Sequence, residues 1–304
     1  MRGAAVLGLG AHRPALRVDN HEIARRTDSS DEWIRDRSGI VTRGVAGDDE
    51  STVDMATSAG AKALAAAGIP AEDTPFSLWG LRLQGKPAVN KLDLYTQGAI
   101  EVQDEGSQLL ALLTDAKRGE MVVDFCAGAG GKTLALLQAG ARVIASDRSA
   151  NRLQRLNANL ERMHATHVDV REMDATAPTL EPVDVVLIDV PCTGTGTFRR
   201  HPDARWRLRV SDIALLPVLQ RDILAAASSC VKPGGLLIYS TCSLEHEEND
   251  AVVHEFLAED DSFVLEPPAA GVVPDVVLDK GFLRVLPQEH GVDGAFAARM
   301  RRIR

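Results

Sequence analysis

The spacing of apolar and polar positions changes along this chain, and the changes mark its elements. From about residue 119 onward, short apolar runs recur: MVVDF (121–125), RVIAS (142–146), HVDV (167–170), DVVLID (184–189) and GLLIYS (235–240). Runs this short and this rich in β-branched residues read as buried strands. Between them lie longer stretches with apolar residues three and four apart, such as SANRLQRLNANLERM and SDIALLPVLQRDILAAASSCV. These predict helices. Strand–loop–helix alternation with short connections predicts an α/β fold, a Rossmann-like, parallel, doubly wound sheet with helices on both faces. Ligands in such sheets sit beyond the carboxyl ends of the strands.

Ahead of this region the pattern differs. AAVLGLG (4–10) reads as a short buried strand. Ser51 opens STVDMATSAGAKALAAAGI with Asp54 three residues on, a helix-start signature, and the helix is expected to end at Gly68 and Pro70. AEDTP then marks a junction that closes a first segment of residues 1–72. From Phe76, WGLRLQGKPAVNKLDLYTQGAIEVQDEGSQLLALL predicts short alternating strands and then a helix. That gives a small α/β subdomain over 76–115, followed by a main domain over 116–304.

Composition narrows the class. A chain of 304 residues holds two domains, or one large domain with an appendage. Its 45% hydrophobic content and mean hydropathy of −0.08 fit a soluble globular protein. No run approaches the roughly 18 apolar residues of a membrane span, and MRGAAVLGLGAHRP lacks a signal-peptide pattern. Four cysteines are no disulfide framework and read as reduced cytoplasmic thiols. None forms a CxxC or Cys/His cluster, so no metal is expected. The net charge of −9 argues against a wholly basic nucleic-acid coat but not against a local basic groove. Nothing in the sequence speaks to oligomeric state, and a monomer is the default.

Candidate chemistry begins at VVDFCAGAGGKT (122–133), a strand, a glycine-rich turn and a helix start. Gly128, Gly130 and Gly131 let a ligand approach the backbone, and the helix start offers free N–H groups. An ATP-binding loop would need glycine five residues before Gly131, where Cys126 stands. The next strand ends at Asp147, placed to accept from two ribose hydroxyls. Asp174, in EMDA, is placed to accept from an adenine amino group, and Asp189 ends the fourth strand. A glycine loop with three strand-end acids suits a nucleoside without phosphate, such as S-adenosyl-L-methionine. The alternative is that Asp147 and Asp174 merely cap the segments that follow them.

Cys230 lies inside an apolar helical pattern and Cys126 beside the loop, and both read as small buried hydrophobes. Cys192, in VLIDVPCTGTG, and Cys242, in YSTCSLEHEEN, differ from these because each follows a strand end. Two thiols there suit methylation of a pyrimidine at C5. A thiolate adds at C6, C5 attacks an electrophilic methyl group, and loss of the C5 proton with elimination restores the ring. Asp189 is placed to hydrogen-bond the N3/N4 edge of the base. Their placement alone leaves open which thiol attacks. Between Thr197 and Val210, FRRHPDARWRLR carries five arginines against one aspartate, an RNA-groove pattern in which Trp206 or Phe198 stacks on an unpaired base. A solvated charged face is the plainer alternative.

From roughly Phe76 to Arg304 these residues resemble the bacterial RNA 5-methylcytosine methyltransferases of the Nop/Sun family that act on 16S rRNA. The matching pieces are QDEGSQLLALL, DFCAGAGGKT, DRSANRL, DVPCTGTGTFRRHPD, RWR, VKPGGLLIYSTCSLEHEEN and HGVDGAFAARM. The resemblance implies that Cys242 attacks and Cys192 assists product release, with Asp189 and Lys132 as their catalytic companions. It implies cofactor contacts along Cys126, Ala127, Gly128, Ala129, Gly130, Gly131 and Lys132, and at Asp147, Arg152, Asp174 and Asp189. The basic segment itself gives the RNA-binding candidates Arg199, Arg200, His201, Arg205 and Trp206. Three features depart from the family: Ala129 where its loop commonly has proline, Ala295 where it commonly has phenylalanine, and a short helix at TLALLQAGA.

Residues 1–72 resemble something else. GLGAHRP, TDSSDEWIRDRSGI and DESTVDMATSAGAKALAAAGI are similar to the amino-terminus of ketoacyl-ACP synthase III, a thiolase-fold enzyme in which Trp33 and Arg37 would match coenzyme A contacts. No cysteine precedes Cys126, so that segment lacks a nucleophile. The helical RNA-binding domain often found ahead of the methyltransferase is expected to be missing. Two alternatives remain beside the methyltransferase: a non-catalytic binder of RNA and S-adenosylmethionine, and an acyl-CoA condensing enzyme.

Overall fold

The structure is a computed structural model that describes residues 12–14, 16–25, 27, 29–47, 52–66, 68–85, 87–165 and 167–304. The expected strand at 4–10 and the Ser51 cap lie outside them. The chain divides into two compact units, Met1–Pro87 and Ala88–Arg304.

In the first unit β1 (Leu16–Asp19), α1 (Asn20–Ala24), α2 (Asp31–Ser38), β2 (Thr42–Val45), α3 (Thr52–Ala66), β3 (Ala71–Asp73) and β4 (Leu81–Leu83) follow in order. Two separate two-stranded ribbons result, β1 with β2 and β3 with β4, both antiparallel. Only Val18, Ile34 and Leu64 are buried apolar side chains here among the described residues. Polar bonds carry much of the order. Buried Asn20 donates to Asp31 Oδ1 at 2.9 Å and to the Ile40 carbonyl at 2.6 Å, and Ser30 caps α2 by accepting from Trp33 N. Trp33 is exposed, with the Arg37 guanidinium 5.7 Å from its ring centroid.

The second unit contains α4 (Asp93–Thr96), α5 (Glu105–Leu113), β5 (Met121–Phe125), α6 (Gly131–Gln138), β6 (Arg142–Asp147), α7 (Ala150–Arg162), β7 (Val168–Glu172), β8 (Val183–Asp189), α8 (Val210–Ser228), β9 (Val231–Thr241), α9 (Asp250–Glu259), β10 (Phe263–Leu265), β11 (Leu278–Asp279), β12 (Phe282–Val285), α10 (Pro287–His290) and β13 (Ala295–Arg302). The subdomain expected at 76–115 is therefore split. β4 pairs with β3 in the first unit, whereas α5 packs in the second, with Gly106 close enough to Asp293 that a Cβ would meet its carbonyl oxygen at 2.9 Å.

The sheet runs β11-β12-β13-β9-β8-β5-β6-β7, with β10 paired to β13. β9, β8, β5, β6 and β7 are parallel, as the sequence predicts. β10 to β13, which the sequence reading leaves unassigned, add an antiparallel flank to this parallel sheet. The central strands β5, β8 and β9 are covered on both faces, so Val122, Val123, Phe125, Val186, Leu187, Ile188, Leu237 and Ile238 are fully buried and read as unbroken apolar runs, whereas edge strand β7 has no buried residue. β13 hides from such a reading because its middle carries Arg299, which is buried only by virtue of its pairing with Glu266.

Candidate active site

The glycine loop leaves β5 through an unusual backbone. Cys126, Gly128 and Gly130 have φ of 59°, 60° and 90°, so the turn passes repeatedly through the left-handed region. The N–H groups of Ala127, Gly128 and Gly130 are taken up by Ser146, Asp147 and Ala127, and the turn delivers the chain to the start of α6, whose first N–H groups have no helical partner. A side chain at Gly130 is further opposed by Leu156, whose Cγ lies 3.2 Å from an added Cβ. Burial pushes the Cys126 thiol up to about 12, so it serves packing and is inert as a nucleophile.

Asp147 is buried at the end of β6. It accepts from Gly128 N at 3.2 Å and Ser149 N at 2.9 Å, with Arg152 Nη1 3.5 Å away. Asp174 stays exposed and accepts from the Thr176 N–H and hydroxyl at 2.9 and 2.8 Å, which holds its carboxyl below the usual range. The capping alternative is thus real for Asp174, and it does not line the cleft described next.

Sequence reasoning missed Asp124. It is fully buried, and its Oδ2 accepts from Thr133 Oγ1 at 2.6 Å. Its Oδ1 is buried with no partner, and burial pushes its carboxyl up to about 6. Asp124, Ala127, Gly131, Lys132 and Asp189 line a cleft of about 220 Å³, together with Gln103 and Arg200. A carboxylate oxygen without a partner, beside the N–H groups of the first turn of α6, fits a ligand carrying an ammonium and a carboxylate. The acid two residues before Cys126 was the available signal.

β8 and β9 are parallel neighbours in register Asp189↔Ser240, so the loops that follow them leave the sheet side by side. This brings Cys192 and Cys242 together, with sulfurs 3.4 Å apart. The hydrogen bond from Cys192 holds the Cys242 thiol below its usual range. The same contact pushes Cys192 well above it. The contact thus favours ionisation of Cys242 over Cys192. Cys230, buried in the core, is structural as expected.

Asp189 joins this pair to the glycine loop. Its Oδ2 accepts from Lys132 Nζ at 2.6 Å and its Oδ1 from Ser240 Oγ at 3.0 Å. Burial opposes the Lys132 charge, but Asp189 more than offsets it, and the ammonium is held above its ordinary range.

A second residue missed by sequence is Glu248, fully buried behind the thiols. Its Oε1 accepts from Thr193 N and Gln220 Nε2, both at 2.9 Å. Its Oε2 accepts from Ser243 Oγ at 2.5 Å and from the Thr193 hydroxyl. Within SLEHEEN nothing separates Glu248 from its acidic neighbours until β8 and β9 are known to be adjacent.

The basic segment is only partly free. Arg199 and Arg200 pair with Asp104 and Asp293, the closest contact being Arg200 Nε to Asp293 Oδ2 at 2.5 Å. These two arginines tie α5 to the turn before β13 while their side chains stay half-exposed. His201, Arg205 and Trp206 are exposed; Trp206 is 78% accessible, and the Arg205 guanidinium lies 5.1 Å from its ring centroid.

The family described as 16S rRNA methyltransferase RsmB/F matches residues 111–301. This chain belongs to that family. It is similar to the ribosomal RNA small subunit methyltransferase B of Pasteurella multocida, 39% identical over 253 residues that span 79% of this chain and 55% of the relative. Among solved structures it is similar to PH0851, at 34% identity and a TM-score of 0.73, covering 78% of this chain and 55% of that one. It is also similar to NSun6 from Pyrococcus horikoshii with SFG, at 28% identity and a TM-score of 0.65, covering 74% and 60%. The chain spans about half the length of the curated relatives it matches. The comparisons agree with the α/β methyltransferase fold and lend no support to a ketoacyl-ACP synthase III fragment in residues 1–72. No helix among the described residues is long and apolar enough to cross a membrane.

Proposed function

We propose that this chain transfers a methyl group from S-adenosylmethionine to C5 of a cytosine in RNA, with 16S rRNA as the substrate class, through a covalent adduct between Cys242 and C6. The observation that carries the reading is the thiol pair, 3.4 Å apart, in which Cys242 is lowered and Cys192 raised. A nucleophile ready to ionise, with a protonated partner at its side, is what addition followed by elimination requires.

The cofactor fits the cleft by the chemistry of its walls. Asp124 Oδ1 suits its ammonium and the N–H groups at the start of α6 its carboxylate, while Asp147, at the end of β6 and outside the cleft lining, would take its ribose hydroxyls. When bound it supplies an electrophilic methyl group for C5. Cys242 binds C6 and so makes C5 nucleophilic. Asp189 and Lys132, held together at 2.6 Å, present an acceptor and a charged donor to the polar edge of the base. Cys192, touching Cys242, serves the elimination that frees the product. Arg205 and Trp206 offer a cation and a stacking face to an unpaired stretch of RNA, and a target cytosine in folded RNA has to leave its stack to reach the thiol.

The test is a denaturing gel of wild type, Cys192→Ala and Cys242→Ala after incubation with S-adenosylmethionine and labelled, unmodified 16S rRNA fragments. A shifted protein–RNA band in Cys192→Ala alone is expected. A band only in Cys242→Ala would reverse the two roles. No band in any lane, with a wild type that transfers no methyl group, would leave a binding protein.

A further inference from the structure

Glu248 touches neither the cleft nor a sulfur, yet it is bonded to the residue that follows each thiol. Thr193 comes directly after Cys192 and Ser243 directly after Cys242, and both donate to this one carboxylate. The two loops are also bonded directly: Gly196 N donates to the Cys242 carbonyl at 2.9 Å and Leu244 N to Thr195 Oγ1 at 2.9 Å. Behind Glu248, Gln220 Nε2 donates to the Pro191 carbonyl at 2.9 Å as well, and Tyr239 OH donates to the Glu248 carbonyl at 2.6 Å. Among the described residues Glu248 forms no ion pair, and the four donors to its carboxylate are all neutral. A carboxylate buried in that way is expensive to desolvate, and a well-packed apolar residue would hold a core equally well. What an apolar residue cannot do is accept from two separate loops at once.

We propose that Glu248 is the positioning residue of the two-thiol site, setting the separation of Cys192 and Cys242 by bonding Thr193 and Ser243 to a single carboxylate. The consequence for catalysis rests on the methyltransferase reading above; the positioning itself does not. Removing Glu248 takes away the acceptor that Thr193 and Ser243 share, and with only the direct loop-to-loop bonds left the spacing of the sulfurs loosens. A reacting group misplaced by about 1 Å costs on the order of a hundredfold in rate. Glutamine is the conservative replacement. Its carbonyl oxygen serves Thr193 N and Gln220, and its amide can donate to the two hydroxyls, which rotate to accept.

The experiment measures the rate at which iodoacetamide alkylates Cys242 as a function of pH, by peptide mapping of the full chain well below its melting temperature. The charged and titratable groups that bear on Cys242 are Cys192, Asp189 and Lys132. In wild type the rate rises through an apparent pKa below the ordinary 9.0. Cys192→Ala moves that limb up, because the thiolate loses its donor. Glu248→Ala is expected to move it up in the same way, with Glu248→Gln close to wild type. A purely structural Glu248 would lower the melting temperature and leave the profile in place, and that result overturns the proposal. Should Glu248→Ala fail to fold, Thr193→Val and Ser243→Ala each remove one bond to the carboxylate, and an unchanged limb in both overturns it equally. On RNA, Glu248→Ala is expected to lower kcat by about 10- to 100-fold with the Kd for S-adenosylmethionine unchanged. A wild type that shows the expected profile but methylates nothing would sink the methyltransferase reading and leave the positioning role standing.

Discussion

The two ends of the carboxyl edge of the sheet are built in opposite ways. Beyond β5 and β6, buried polar atoms are left without partners: Asp124 Oδ1 and Ser146 Oγ. Beyond β8 and β9, none of the buried side-chain polar atoms between 191 and 195 or between 241 and 249 lacks a partner. One end keeps a polar atom open for something that arrives. The other end is saturated before anything arrives, because two sulfurs can share a proton only while their loops are held still. An incomplete hydrogen-bond inventory marks a ligand site, and a complete one around reactive groups marks preorganised chemistry.

Lys132 is where the two ends meet, so its removal is the severest way to break the contrast. Lys132→Met leaves Asp189 with Ser240 as its remaining hydrogen-bond donor. The expected loss is about 3 kcal/mol of stability, the lower end for breaking a buried pair because Asp189 is partly exposed. In a domain of this size that is about 6–12 °C in Tm, readable by calorimetry. Methyl transfer should fall by about a hundredfold or more.

Asp124→Asn sharpens the contrast by separating stability from binding. The carboxyl of Asp124 is raised from 3.8 to about 6 in the folded chain. The stability it confers is therefore complete below 3.8 and is lost as pH rises through about 6. Over roughly two units this amounts to about 3 kcal/mol. Asparagine does not titrate, so urea unfolding should show the variant gaining on wild type by about that much between pH 4 and pH 7. Its affinity for S-adenosylmethionine should fall at the same time. A variant that gained stability and kept its affinity would remove Asp124 from the cofactor site.

The smallest effect is expected outside both ends. Trp206→Ala should weaken binding of single-stranded RNA by about tenfold, the value of one stacked base, with no change in Tm because the ring is largely exposed.

Much of this was legible early. β5, β6, β8 and β9 appeared as short apolar runs because both of their faces are covered, edge strand β7 showed only as an alternating pattern, and the glycine loop and the two thiols stood out because each follows a strand end. β13 did not, since Arg299 in its middle is tolerable only beside Glu266, 33 residues away. The ion pairs of Arg199 and Arg200 were hidden for a similar reason. Asp104 and Asp293, the acids that claim them, lie about 90 residues away on either side. Asp124 looked like part of a strand and Glu248 like part of a charged turn.

The sequence by itself determined the parallel half of the sheet, the residue types at its carboxyl edge and the chemistry those types allow. Hydrophobic period and glycine positions are local signals, carried by neighbours along the chain. Only the tertiary structure decided that Cys192 and Cys242 touch, with sulfurs 3.4 Å apart. It alone showed that one carboxylate, Glu248, ties both loops, and that two of the basic residues are already spoken for. Each of these depends on contacts between residues far apart in sequence, which form only when β8 and β9 lie side by side and the antiparallel strands close over them.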